Sequence, residues 1–121
     1  KRAGVLPDFG NFCVNRTKPE TMDIAGYMNT KCLEQYDMYL GIEELMPYAK
    51  GVSAKTHKFD SHGNETELDF KRIFNIIEKS GFDGIIGIEY EGGLMHAQGI
   101  EGYVSNEEGI MATKKLIQKS M

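Results

Sequence analysis

The chain has 121 residues with 40% hydrophobic and 26% charged content, values that are ordinary for one soluble globular domain. Its formal net charge of −4 provides no basic surface for nucleic acid, and no apolar run approaches the roughly 18 residues of a membrane span. The composition therefore argues against both a nucleic-acid partner and a membrane-spanning protein. The chain begins at Lys1 without an initiator Met, so we interpret it as a processed product, a fragment or part of a longer gene.

The two cysteines, Cys13 and Cys32, are too few for a disulfide framework and lack the CxxC spacing of a redox or metal site. A disulfide between them is one alternative, but two free thiols in a reducing compartment are the interpretation we prefer. We therefore expect a cytoplasmic protein.

The first half of the chain predicts one strand, a long connection and one helix. The apolar residues 3–8 predict a strand that ends in a turn at Gly10-Asn11. Residues 13–29 sustain no period, which predicts a long connection of the kind that is typically functional or disordered. Helical character begins near residue 30 and is clearest over residues 41–46.

The alternation over residues 50–57 predicts a second strand with two different faces. One face carries Val52, Ala54 and Thr56, and the other carries Ser53, Lys55 and His57. A turn is expected over residues 60–64.

The last half of the chain predicts two helices around a third strand. Thr66 and Asp69 resemble a capping box, and an apolar stripe at helical spacing follows, made of Phe70, Ile73, Phe74 and Ile77. Gly81 is placed to end this helix. A strand over residues 84–90, a Gly-flanked loop over 92–99 and a final helix to about 119, opened by a capping box at Ser105 and Glu108, complete the order β-α-β-α-β-α.

This alternation of strands and helices implies right-handed crossovers and a parallel sheet. Three parallel strands would have two open edges, and one face of the sheet would lack a cover. Either the unit pairs with another copy, or it belongs to a larger α/β barrel or doubly wound sheet. We favour the larger barrel.

Two carboxylates at strand ends are the first candidates for chemistry. Asp8 is a possible metal ligand or base, although a loop carboxylate that caps the amides of Gly10 and Asn11 is equally expected. Glu89 ends a buried strand, where an unpaired carboxylate costs several kcal/mol. A catalytic or ligating role and a structural ion pair with Lys55 are its two interpretations.

The second strand adds Lys55 and His57 on the same face. Lys55 is suited to orient a substrate oxygen or to stabilise an enediolate charge. His57 is a candidate metal ligand or a solvated strand-end histidine, and Glu91 is either a partner of the group that Glu89 binds or a surface loop acid. Such carboxylates with an imidazole suit Mn²⁺, Mg²⁺, Co²⁺ or Zn²⁺, which can polarise a carbonyl during proton abstraction. That chemistry is sugar isomerisation or epimerisation.

Four stretches of the chain carry a family resemblance. They are Leu6-Pro7-Asp8-Phe9-Gly10-Asn11-Phe12, Val52-Ser53-Ala54-Lys55, Phe59-Asp60-Ser61-His62-Gly63-Asn64-Glu65 and Ile86-Gly87-Ile88-Glu89-Tyr90-Glu91-Gly92. Together they resemble the xylose-isomerase-like sugar phosphate isomerase/epimerase superfamily. The resemblance spans nearly the whole chain but only the last three units of a (β/α)8 TIM barrel, so residues 1–121 would be the C-terminal portion of one domain.

The resemblance implies a site at the C-terminal strand ends, with a metal held by two Glu, one Asp and one His. Asp8 would match the Asp, and Glu89 would match the final Glu and act as acid/base. Asn11 stands where many relatives carry a substrate-binding His. Ser53 stands at the place of the metal His, for which His57 is the possible substitute, and the first Glu would lie in a strand absent from this chain.

We therefore expect a metal-dependent sugar or sugar phosphate isomerase/epimerase that is inactive as an isolated fragment, with an incomplete divalent-metal site. A homo-oligomer or a missing N-terminal barrel segment would complete it. The alternative is a noncatalytic fragment that binds a sugar or a partner chain. An endonuclease of abasic DNA is disfavoured by three His and a net charge of −4.

Overall fold

The computed structural model describes residues 3–121, which form a small mixed α/β domain with two separate two-stranded sheets. In chain order the elements are β1 (Cys13–Arg16), α1 (Ile24–Met28), β2 (Cys32–Gln35), α2 (Met38–Leu45), a 3-10 turn (Met46–Tyr48), β3 (Gly51–Thr56), α3 (Phe70–Lys79), β4 (Ile85–Tyr90), α4 (Gly93–Ala97) and α5 (Asn106–Ser120). Strands β1 and β2 pair antiparallel, whereas β3 and β4 pair in parallel.

A short N-terminal segment, residues 5–9, runs parallel to β3 on the side opposite β4. The Ser53 backbone N–H donates to the Pro7 carbonyl at 2.8 Å, and the Phe9 N–H donates to the Ser53 carbonyl at 3.3 Å. The segment forms only isolated bridges, at Val5 and Asp8, instead of the regular strand predicted over residues 3–8. Pro7 has no N–H, which removes one ladder bond and interrupts the pairing.

The hydrophobic core lies between the parallel sheet and its helices, as the alternation in β3 predicts. Val52 and Ala54 are buried on this face, and the Thr56 hydroxyl lies 2.6 Å from the Thr113 hydroxyl of α5. The predicted apolar stripe of α3 is also confirmed, because none of its four members is more than 3% exposed. The opposite face of β3 is therefore left to Ser53, Lys55 and His57.

The ends of the two long helices were predicted with mixed success. The capping box of α5 is present, with Ser105 and Glu108 bonded reciprocally, and Gly81 follows α3 with φ of +72°. The predicted box at Thr66 is wrong, because Asp69 is itself the N-cap of α3 and accepts the Arg72 N–H at 3.0 Å. A carboxylate directly before the first helical turn caps it without help from Thr66.

Residues 13–35 form a disulfide hairpin rather than the predicted connection and early helix. Strands β1 and β2 pair across it, α1 lies between them, and Cys13 is bonded to Cys32. The preference for two free thiols is therefore wrong, because strand pairing brings the two Cα atoms to 5.9 Å, within disulfide range. The expectation of a cytoplasmic protein was based on two free thiols, and the disulfide removes this support.

One further correction concerns residues 92–99, predicted as a loop. They contain α4, whose His96 N–H donates to the Gly92 carbonyl at 3.1 Å. Within residues 3–121, none of the helices combines the length and the apolar character that crossing a bilayer requires.

Candidate functional site

The candidate site lies at the carboxyl ends of three neighbouring parallel segments. Asp8 lies near the end of the N-terminal segment, Lys55 lies near the end of β3, and Glu89 of β4 lies opposite Lys55 in the register. Glu91 follows two residues after Glu89, on the same face. We call Asp8, Lys55, Glu89 and Glu91 the lysine–carboxylate cluster.

Lys55 is the centre of this cluster. Its Nζ lies 3.2 Å from Asp8 Oδ2, 3.3 Å from Glu89 Oε1 and 2.9 Å from Glu91 Oε1. The Lys55 side chain is only 3% exposed, whereas the side chains of Glu89 and Glu91 are 40% and 45% exposed. The ion pair with Glu89, the structural interpretation of that carboxylate, is thus present as one of three.

The second oxygen of each carboxylate also has a partner. Asp8 Oδ1 accepts the Gly10 N–H at 2.8 Å, which is the turn-capping contact expected for this residue. Glu89 Oε2 accepts the Ser53 hydroxyl at 2.6 Å, and Glu91 Oε2 lies 2.9 Å from His57 Nε2. All six carboxylate oxygens of the cluster are therefore engaged.

The electrostatics of the cluster favour the charged forms. Burial alone would lower the pKa of Lys55, but the hydrogen bond to Glu91 and the charge of Asp8 outweigh it, so the pKa is raised. Burial alone would raise the pKa of Glu89, but the Ser53 hydroxyl and the Lys55 charge outweigh it, so the pKa is lowered. An ammonium and an ionised Glu89 therefore coexist at neutral pH.

The structure brings together most of the residues that the sequence indicated. Asp8, Lys55, His57 and Glu89 all converge, while Asn11 is exposed and follows the Asp8 turn. The other two histidines lie elsewhere, with the His62 ring 3.3 Å from the Ser61 hydroxyl and His96 Nδ1 3.1 Å from the Tyr103 carbonyl oxygen.

Two residues that contact the lysine–carboxylate cluster or belong to it, Ser53 and Glu91, were not predicted in these roles. Ser53 was considered only as a missing histidine, and Glu91 was left between partner and surface acid. Both lie on the polar face that the strand alternation already defined, so their spacing of two from Lys55 and from Glu89 was the available signal.

An open groove of about 780 Å³ leads away from the cluster between the disulfide hairpin and α4. His57 and Glu91 form its polar end, and Tyr27 lies in its wall with the Arg16 guanidinium 5.5 Å from the ring centre. The other lining residues are mostly apolar: Met22, Asp23, Ile24, Met28, Leu94 and Met95. The groove offers a ligand an apolar wall and contact with Glu91, the member of the lysine–carboxylate cluster that lines it.

The predicted divalent metal does not fit this arrangement of residues. The Lys55 ammonium lies between Asp8 and Glu89, which the resemblance implies as ligands, and it contacts both. The ammonium therefore occupies the space between the two carboxylates, already pairs with one oxygen of each, and would repel a divalent ion placed beside it. Within residues 3–121, no group of three or more His, Cys, Asp or Glu side chains is arranged so that it could hold a metal ion.

Comparisons with known proteins add no assignment. No protein-family model matches the chain, and no curated protein matches it. The function therefore has to be argued from the cluster and its surroundings.

Proposed function

We propose that this chain forms part of the active site of a sugar or sugar phosphate isomerase or epimerase. The reaction is a proton transfer through an enediolate. The observation that supports it most is the convergence of Asp8, Lys55 and Glu89 at the carboxyl ends of adjacent parallel segments. Ligand sites of parallel α/β folds lie at this end of the sheet.

Glu89 is the proposed proton acceptor. Its lowered pKa keeps it ionised at neutral pH, and its 40% exposure leaves it accessible to a ligand. The carboxylate removes the proton from the hydroxyl-bearing carbon next to a carbonyl and, in an isomerase, returns it to the former carbonyl carbon, while the hydroxyl proton moves to the former carbonyl oxygen. An epimerase needs a second acid on the opposite face of the substrate, which the resemblance assigns to a Glu of another β/α unit.

Lys55 is the proposed source of positive charge for the enediolate. Its three contacts with carboxylates mean that a substrate oxygen must displace one of them to reach Nζ. Glu91 is the most exposed of the three and adjoins the groove, so it is the partner that we expect to give way. Its departure also frees His57 to bond a substrate hydroxyl.

The test is hydrogen exchange in D₂O, followed by proton NMR on a panel of ketoses and ketose phosphates. We expect the complete gene product to exchange the proton next to the carbonyl, and Glu89→Gln to slow this by at least about 100-fold. Glu78→Gln, an exposed change on α3, is the matched control. The 121-residue chain alone is expected to show little turnover. Full exchange by folded Glu89→Gln would refute the assignment.

A noncatalytic role in binding a sugar or a partner chain is the second candidate. The observation that favours it is the open edge of β4, which within residues 3–121 pairs with β3 alone and leaves Ile85 81% exposed. Light scattering on the pure chain distinguishes a self-associated unit from a monomer. Sugar binding, or a stable complex with another chain, without any hydrogen exchange would favour this candidate over the enzyme.

A further inference from the structure

The cation of the candidate site is part of the polypeptide. We propose that the Lys55 ammonium is its resident cation and replaces a divalent metal ion, so that the site holds its carboxylates in place without binding metal. Lys55 thus positions the carboxylates of the cluster, in addition to the charge that it is proposed to supply to the enediolate. The inference deepens the proposed function and depends on it only for the identity of the reaction.

The first argument is the match between donors and acceptors. An ammonium has three N–H groups, and Lys55 Nζ has three carboxylate oxygens within 3.3 Å, each from a different residue. The three carboxylates come from two chain segments, the N-terminal segment and the end of β4, and Lys55 itself lies on β3, so one cation joins three segments. Joining acidic side chains from separate strands is the task that a bound metal performs elsewhere.

The second argument is that the remaining carboxylate oxygens of the cluster have partners without a metal ion. The remaining oxygens of Asp8 and Glu89 face the Gly10 N–H and the Ser53 hydroxyl. Within the described residues, no buried side-chain nitrogen or oxygen atom lacks a hydrogen-bond partner. Carboxylate oxygens built to bind a metal would lack a partner in the absence of the ion, whereas each carboxylate oxygen of this cluster has one.

The third argument is the position of Lys55 itself. Its side chain is 3% exposed, and Gly10, at which an added Cβ would lie 3.0 Å from Lys55 Cδ, leaves room for its stem. The stem is thus enclosed along its length, which holds the ammonium in place. Three carboxylates and one ammonium give the cluster a net charge of −2, which attracts cations to its surroundings. The position between the carboxylates is already occupied by the ammonium.

A Mn²⁺ titration of the 121-residue chain, followed by electron paramagnetic resonance at pH 7, tests the proposal. We expect no saturable binding by the wild type below about 1 mM, the weak end of ordinary carboxylate sites. Lys55→Met should bind Mn²⁺ at least about tenfold more tightly, because the carboxylates then have no internal cation. Lys55→Arg should restore the wild-type result, and Lys114→Met, an exposed change on α5, should not differ from the wild type.

Micromolar, stoichiometric Mn²⁺ binding by the wild type would overturn the proposal. So would a folded Lys55→Met variant, checked by circular dichroism, that binds Mn²⁺ no better than the wild type. If that variant does not fold, nitrogen-15 NMR of the wild-type Lys55 ammonium decides, since 1 mM Zn²⁺ should leave its signal unchanged and a shift contradicts us. None of these measurements involves turnover, so a failure of the isomerase assignment stays separable.

Discussion

The Ser53 hydroxyl donates a hydrogen bond of 2.6 Å to Glu89 Oε2, from the strand that neighbours the one carrying Glu89. The parallel register puts Ser53 two residues before Lys55, whose own partner in the ladder is Glu89. The carboxylate is therefore held from one strand by two different donors. This arrangement fixes the direction of Glu89 and stabilises its ionised form.

Replacing Ser53 by Ala should raise the pKa of Glu89, because its hydroxyl is the largest favourable influence on the carboxylate. We expect the free energy of unfolding to fall by about 1 kcal/mol at pH 7. Since the folded pKa of Glu89 is depressed, this stabilisation exists above the unfolded pKa and is lost as pH falls through the folded pKa. The difference between the two proteins should therefore shrink in acid.

Carbon-13 NMR titration of the Glu89 carboxyl and urea unfolding at several pH values check this prediction. Ser61→Ala, a change in the exposed turn before His62, serves as the control and should leave Glu89 unaffected. An unchanged Glu89 pKa in Ser53→Ala would show that Lys55 alone keeps the carboxylate ionised.

A second pair, Thr56 and Thr113, has a direction that can be deduced. The Thr113 hydroxyl donates its one proton to the Gly109 carbonyl at 2.7 Å, so the Thr56 hydroxyl must be the donor across the 2.6 Å contact. Thr113→Val then leaves a buried donor without an acceptor and should cost about 1–3 kcal/mol. Thr56→Val leaves only an acceptor that retains another bond, so it should cost less.

The double variant Thr56→Val, Thr113→Val should recover part of the loss, because both polar groups are then replaced by apolar ones. Urea unfolding of the four proteins provides the cycle. Equal costs for the two single variants would contradict the assigned direction of the hydrogen bond.

Gly81 allows the cost of a positive φ to be measured separately from any steric clash of an added side chain. It follows α3 with φ of +72°, and an added Cβ would meet no atom within 4 Å. Gly81→Ala should therefore cost about 1 kcal/mol through backbone strain alone, and Gly81→Asn should cost less because Asn tolerates this conformation. Thermal unfolding compares the two, and identical losses would show that another factor operates at this helix end.

Local periodicity predicted the parts of the fold that depend on neighbouring residues. The two faces of β3, the apolar stripe of α3 and the cap at Ser105 each follow from spacings of two, three or four residues. The same spacing brought Lys55 and His57 to one face, and strand-end position brought Asp8 and Glu89 to the same edge. These features could be predicted because each depends on one segment and on the rule that parallel strands end together.

The features that were missed depend on contacts between distant segments. The pairing of β1 with β2 joins residues about 20 apart through an irregular register, which no period in residues 13–29 reveals. Lys55 forms ion pairs with Asp8, 47 positions earlier in the chain, and with Glu91, 36 positions later. The interruption at Pro7 and the cap at Asp69 depend on nearby residues and could have been predicted from the sequence. The prediction placed the N-cap of α3 at Thr66, although the Asp69 carboxylate lies directly before the helix.

Reduction of the Cys13–Cys32 disulfide should lower the stability of the hairpin and leave the core folded. The bond closes a loop with a sequence separation of 19, for which chain entropy predicts a stabilisation of about 3 kcal/mol. The hairpin packs outside the apolar cluster around Phe74, so the loss should appear as faster amide exchange in residues 13–35. Thiol titration of the unfolded, unreduced chain should find no free thiol, whereas two reactive thiols in protein purified under air would contradict the disulfide.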